Sequence, residues 1–237
     1  GLNVKNLTTE ELCYEMEWAG IQAEQARARI PGASQDSLDF SLLPDDLENK
    51  VRADLTTTLQ SMDIPTWGRV RGRIIPTGTL LRLGISGIYN PFAGEGNIAG
   101  ASTPQRYPTI MSHEMSHGYG FGDEGTCNFL AILACGHSKD PFLAYTGWLS
   151  YWSYLAVDLN KRDPVLYRML RGHIPPGMRA DLRANYNNSR RYAGAIARLG
   201  KKVNNAYLKA QGVKEGVQSY NRVVLLMAAW RAKYGGS

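Results

Sequence analysis

Two histidines four residues apart, His113 and His117, enclose Glu114-Met115-Ser116, and the resulting HExxH motif runs straight into Gly118-Tyr119-Gly120-Phe121-Gly122-Asp123-Glu124. On a helix, residues four apart stand on one face. Both imidazoles can therefore aim a nitrogen at one Zn²⁺, about 2.0–2.1 Å away. Glu114 is rotated one step round, too far to join as a ligand but well placed to act as general base on a metal-activated water. A chain with this few histidines and glutamates would produce the pattern about 0.003 times by chance. A catalytic zinc takes three protein ligands and keeps one position open, so the motif calls for a third ligand close by.

Two carboxylates compete for that role. Gly118, Gly120 and Gly122 can stop the helix and turn the chain tightly, which returns either acid to the histidines. Asp123 lies six residues past His117, the HExxHxxGxxD spacing of metzincin sites. Glu124 lies seven past, at the start of a helix that places Asn128 one turn on to orient a ligand, as in gluzincins. Glu124 is the preferred ligand, with Asp123 as its alternative or as a helix N-cap. For the oxyanion of a tetrahedral intermediate, Tyr145 is the first candidate donor, ahead of His137 and His173. Each has a packing alternative: Tyr145 sits among Trp148, Tyr151, Trp152 and Tyr154, and His137 follows a helix end.

These residues need elements to hold them. Thr8-x-x-Glu11 reads as a capping box opening a helix to Pro31, and Leu43-Pro44-Asp45-Asp46 as the start of a second, running to about Met62. From Arg69 to Ile98, β-forming residues broken by Gly and Pro predict two or three short strands. Helices are expected over 108–119, 123–136, 141–159, 163–171, 178–187, 189–211 and 214–234. The fold class is thus α+β and predominantly α-helical, a zincin-like domain with a small sheet just before the HExxH helix. It divides into an N-terminal helical part (1–65), sheet and loops (66–107), metal-site helices (108–160) and a basic C-terminal helical part (161–237), all within one domain spanning 1–237. Gly94-Glu95-Gly96-Asn97 reads either as a sheet edge able to accept an extended peptide by strand addition or as a loop.

Charge is unevenly spread: residues 1–60 carry 5 Lys/Arg against 11 Asp/Glu, and residues 161–237 carry 16 against 3. A basic third can pack on the acidic one, or face an anionic membrane surface; nucleic acid is the less favoured partner, since no nucleic-acid module accompanies the charge. Cys127 and Cys135 lie two helical turns apart, too far for a disulfide, and read with Cys13 as core thiols; no CxxC suggests a second metal. The uncharged run Pro141–Val157 is a buried aromatic helix rather than a membrane span. The first residue is Gly1, consistent with a fragment whose upstream segments are not visible. Oligomeric state is not encoded in any of these patterns.

Several motifs resemble one bacterial domain-of-unknown-function family described as membrane-anchored zinc-dependent peptidases. They are Asn90-Pro91-Phe92-Ala93-Gly94-Glu95-Gly96-Asn97, Pro108 through His117, Gly120-Phe121 with Glu124, Asn128-Phe129, Leu133-Ala134-Cys135, Asp140-Pro141-Phe142, Tyr145-Thr146-Gly147, Gly216-Val217-Gln218-Ser219-Tyr220 and Val223-Val224. The likeness covers the chain from about residue 80 and is weak before it. It implies His113, His117 and Glu124 as ligands, Glu114 as base, and transmembrane helices upstream that anchor this soluble part. Thr126 and Cys127 depart from the family pattern, which has an acidic and a small residue there.

The leading expectation is a zinc metallopeptidase acting on peptides or proteins. The alternatives are a catalytically silent zincin-like binding or regulatory domain, against which Glu114 speaks, and a zinc hydrolase of a cell-wall amide. A purely structural zinc would close its fourth position with another Cys or His, and none accompanies the motif.

Overall fold

The computed structural model describes residues 1–76, 78–194 and 219–235. Among these, the chain forms α1 (Thr9–Ala28), α2 (Leu47–Gln60), β1 (Arg71–Ile75), α3 (Thr79–Arg82), β2 (Gly87–Asn90), β3 (Glu95–Ala99), α4 (Tyr107–Gly118), α5 (Glu124–Gly136), α6 (Pro141–Arg162), α7 (Pro164–Gly172), α8 (Pro176–Arg191) and α9 (Ser219–Tyr234). The expected α+β, mainly helical class is what the chain adopts. The helix expected at 189–211 falls mostly outside the described residues.

Helix starts follow their caps. The Thr8 hydroxyl accepts from the Glu11 N–H at 3.1 Å while the Glu11 carboxylate accepts from the Thr8 N–H at 2.8 Å, the reciprocal pair that ends the search for donors at a helix start. Asp140 and Asp163 cap α6 and α7 by accepting from two first-turn N–H groups each, and each is followed by a proline at the first helical position. α2 begins at Leu47, later than Pro44 suggested, and a short 3₁₀ turn at Phe40–Leu42, capped by Asp39, precedes it. α8 starts earlier than expected, at Pro176, since a proline at the first turn lacks only an N–H the helix does not use.

The core lies between α1, α2, α5 and α6. One cluster of buried side chains runs from Leu7 to Ala228 and includes Leu12, Met16, Leu55, Leu59, Leu130 and Tyr151. α6, the aromatic run, is buried along most of its length, and no helix among the described residues is long and apolar enough to cross a membrane. α5 and α6 cross closely because Gly147 has no side chain; a Cβ there would lie 2.3 Å from the Gly136 nitrogen.

The three strands are ordered β1-β3-β2, with β3 parallel to β1 and antiparallel to β2. This corrects the reading of Gly94–Asn97 as an edge or a loop. Glu95–Ala99 is the central strand, paired on both sides, and all but one of its residues are buried. Among the described residues β1 and β2 are the edge strands, each paired on one side only. Ion pairs link the acidic and basic ends of the chain, Arg231 with Glu15 at 2.5 Å and Arg27 with Asp181 at 2.9 Å.

Candidate metal centre

α4 carries both histidines on one face. It ends at Tyr119, and Gly120 follows with φ +99°, a left-handed conformation that glycine adopts without strain. The chain reverses and α5 begins at Glu124. Asp123 is its N-cap: Oδ2 accepts from the Thr126 N–H and hydroxyl, both at 2.6 Å, and Arg222 of α9 pairs with the same oxygen at 3.2 Å. The structure therefore brings Glu124, not Asp123, to the histidines.

Three side chains converge: the Nε2 atoms of His113 and His117 lie 3.2 Å apart, Glu124 Oε2 stands 3.2 Å from the first and Glu124 Oε1 3.6 Å from the second. Ligands at about 2.0–2.1 Å from a tetrahedral zinc are about 3.3 Å from one another, so the spacing fits.

Protonation supports the fit. Asn128 donates through Nδ2 to the Glu124 carbonyl at 2.8 Å, so its Oδ1 is the atom that faces Nδ1 of His113 at 3.0 Å. Nδ1 of His113 must then be the donor, and Nδ1 of His117 must likewise donate to the Phe121 carbonyl at 2.8 Å. Each neutral ring therefore turns a bare Nε2 toward a carboxylate. Three electron-rich atoms at this spacing require a cation or extra protons between them. In the bare protein the Glu124 carboxyl is held below its usual range, chiefly by its hydrogen bond with His113.

Glu114 is buried, at 6% exposure, between α4 and the sheet. Two glycines make its niche. A Cβ at Gly87 would lie 2.6 Å from its Oε1, and one at Gly96 would lie 2.6 Å from its own Cβ. Burial pushes its carboxyl up to about 7, opposed by His113 and by a hydrogen bond from the Tyr89 backbone. The local sequence gives no sign of these partners, which the sheet supplies. Cys127 fits behind His117, its Sγ 3.5 Å from Nδ1 and from the Phe121 carbonyl; burial pushes this thiol far up, so it packs as a neutral group.

Tyr145 is not at the site. It is fully buried, and its hydroxyl donates to Oδ2 of Asp181 at 2.6 Å, the oxygen that also accepts from Arg27. This is a packing role, set by a partner on α8, and the expectation of an oxyanion donor is corrected. His137 is held by the Leu133 carbonyl and lies between Trp148 and Trp230; His173 closes α7 on the surface. Neither lines the cleft.

That cleft, of about 880 Å³, passes His113, Glu114 and Glu124. One wall is Gly84–Ile88, including the edge strand β2; the other is formed by α6 and α8 through Leu149, Ser153, Tyr154, Asn185 and Tyr186. The α8 side chains and Arg106, which also lines it, lack any motif that marks them in the sequence.

Among known proteins, the family described as "Protein of unknown function (DUF3810)" matches residues 1–228. The match includes the N-terminal helices, where the motif likeness is weak. No curated protein and no solved structure matches the chain.

Proposed function

The chain belongs to the DUF3810 family, and from the geometry of its site we propose that it is a zinc-dependent metallopeptidase. The observation that carries the reading is the set of three ligand atoms at tetrahedral spacing, His113, His117 and Glu124, with a non-ligand carboxylate beside them and a cleft leading in. A zinc held by these three residues would polarise a carbonyl and acidify a water at neutral pH. Asn128 and the Phe121 carbonyl fix the histidine tautomers and aim Nε2 inward. Glu114, buried against the sheet at the side of the cleft, accepts the proton of the attacking water on a carboxylate oxygen. It then delivers that proton to the departing amine nitrogen as the C–N bond breaks and the new C–O bond forms. A buried carboxylate is suited to both halves, because burial raises its basicity toward neutrality.

β2 supplies the rest. Among the described residues it pairs with β3 on one side only, and an extended peptide laid along its other side would run through the cleft past Glu114.

The test is metal content together with turnover. One zinc per chain, lost in Glu124→Ala, with chelator-sensitive cleavage of a quenched-fluorescent peptide library abolished in Glu114→Gln, is the expected result. Zinc binding with cleavage of a peptidoglycan amide and of no peptide would replace the peptidase by an amide hydrolase. A chain that takes up no zinc under any loading condition would overturn the reading.

A further inference from the structure

α8 carries its charge on one side. Arg179, Arg183, Tyr186 and Arg190 follow one another at spacings of four, three and four residues, which sets them in a single stripe along the helix. All four are exposed. The inner side is pinned. Asp181 is fully buried and paired with Arg27, the Asn188 amide donates to the Ala101 carbonyl at 2.8 Å, and the Gln105 amide donates to Asn185 Oδ1 at 3.0 Å. These contacts fix the rotation of the helix and keep the stripe facing outward.

The stripe has no counter-charge. Among the described residues, no carboxylate comes within ion-pair distance of Arg179, Arg183 or Arg190. Asp163 and Asp181, the acids of this stretch, are engaged as the N-cap of α7 and by Arg27. Arg183 makes no hydrogen bond or ion pair among the described residues. Arg179 donates through Nη2 to the Gly172 and Ile174 carbonyls at 3.1 and 3.0 Å, which steadies its guanidinium. The Arg190 guanidinium lies 5.8 Å over the Tyr186 ring.

Tyr186 joins the stripe to the cleft. With Asn185 and Ser189 of the same helix it lines the cavity that passes His113, Glu114 and Glu124, and it is 60% exposed. A chain leaving the cleft across Tyr186 therefore meets Arg183 one turn to one side and Arg190 one turn to the other.

We propose that this stripe is an exosite for an acidic segment of the substrate: a peptide seated in the cleft continues across Tyr186 and lays Asp or Glu side chains against Arg183 and Arg190. This rests on the peptidase reading for the word substrate, but the binding does not depend on cleavage. A guanidinium offers a carboxylate two parallel N–H bonds. From Arg179 to Arg190 the stripe is about 16 Å long at 1.5 Å per residue, the reach of about five extended residues. Exposed ion pairs are individually weak, so selectivity comes from several acids in a short run and is greatest at low salt. A bilayer surface suits the stripe less well. A helix lying on a membrane buries an apolar face, and Tyr186 is the only large hydrophobic residue exposed on α8.

The experiment is fluorescence anisotropy of labelled peptides on the Glu114→Gln protein, which binds without turnover. A fixed neutral peptide carries a block of Glu, Gln or Lys at either end. The expected result is binding about tenfold tighter for the Glu block at one end only, an advantage that disappears at about 1 M salt, where the screening length is about 3 Å. Arg183→Ala with Arg190→Ala should erase it, whereas removing the same charge from α7, by Arg168→Ala with Arg171→Ala, should leave it. Arg183→Glu with Arg190→Glu should move the preference to the Lys block, which a misfolded variant could not do. An equal advantage at both ends, or one that survives in the doubly neutralised α8, overturns the exosite, as does equal binding of all peptides; each leaves the peptidase reading standing. Co-sedimentation with anionic vesicles that depends on Arg183 and Arg190, without selection among peptides, replaces the exosite by a membrane contact. Acid-selective binding through these arginines in a protein whose unmutated form cleaves nothing upholds the exosite and overturns the peptidase.

Discussion

Asn128 Oδ1 stands 3.0 Å from Nδ1 of His113, while the amide nitrogen of the same side chain donates to the carbonyl of Glu124, the residue whose carboxylate faces His113 from the other side. One asparagine thus sets the tautomer of one candidate ligand and tethers the backbone of another. Replacing it with alanine should lower zinc affinity about 10- to 100-fold, read by competition with a chromophoric chelator. Unchanged affinity would mean that His113 finds its orientation elsewhere.

Glu114 and its glycines separate metal binding from chemistry. Glu114→Gln should retain one zinc per chain and lose about 10²–10⁴ in kcat, the usual contribution of a positioned base. Gly96→Ala puts a methyl group where the Glu114 side chain leaves the backbone, 2.6 Å from its Cβ, and should cost activity comparably while metal content falls little. If Gly96→Ala is fully active, the niche does not position the base.

Tyr145 should behave as a core residue. Asp181 accepts from Tyr145, Arg27, Ser37 and the Leu38 N–H at 2.6–2.9 Å. Tyr145→Phe is expected to lower stability by about 1–2 kcal/mol with kcat unaltered. Asp181→Ala should cost about 3–5 kcal/mol, because it leaves Arg27 buried without its partner. Denaturant melts alongside peptide turnover distinguish this from a role at the reacting carbonyl, for which Tyr145→Phe would lower kcat.

Metal removal should act on stability as well as activity. Zinc that binds only the folded chain adds RT ln(1 + [Zn]/Kd), about 4 kcal/mol at a thousandfold excess over Kd. Chelation should therefore lower Tm, and the drop should vanish in Glu124→Ala. An equal drop in both proteins would mean that the stabilising ion sits elsewhere.

What could be read in advance followed the range of the interactions. His113 and His117 were legible because i,i+4 geometry is local to one helix, and Glu124 because glycines just after the motif enforce a short reversal. The choice against Asp123 needed only its capping bond to Thr126, three residues away. Tyr145 was misread because its decisive partner, Asp181, lies 36 residues on. Strand order is likewise non-local: Gly94–Asn97 looks like an edge until β1 and β2 are seen to flank it. Gly87 and Gly96 declare their purpose only when α4 is packed on the sheet, and Arg183 and Arg190 only when α8 closes the cleft.

Arg222, near the start of the last helix, reaches Asp123 at the head of α5, and Gly125 leaves room for it, a Cβ there falling 2.9 Å from Arg222 Cδ. A chain emerging from the ribosome exposes both histidines and Glu124 long before Arg222 has been made. The first turn of α5, which carries Glu124, is therefore clasped only once α9 has been made and has packed against it.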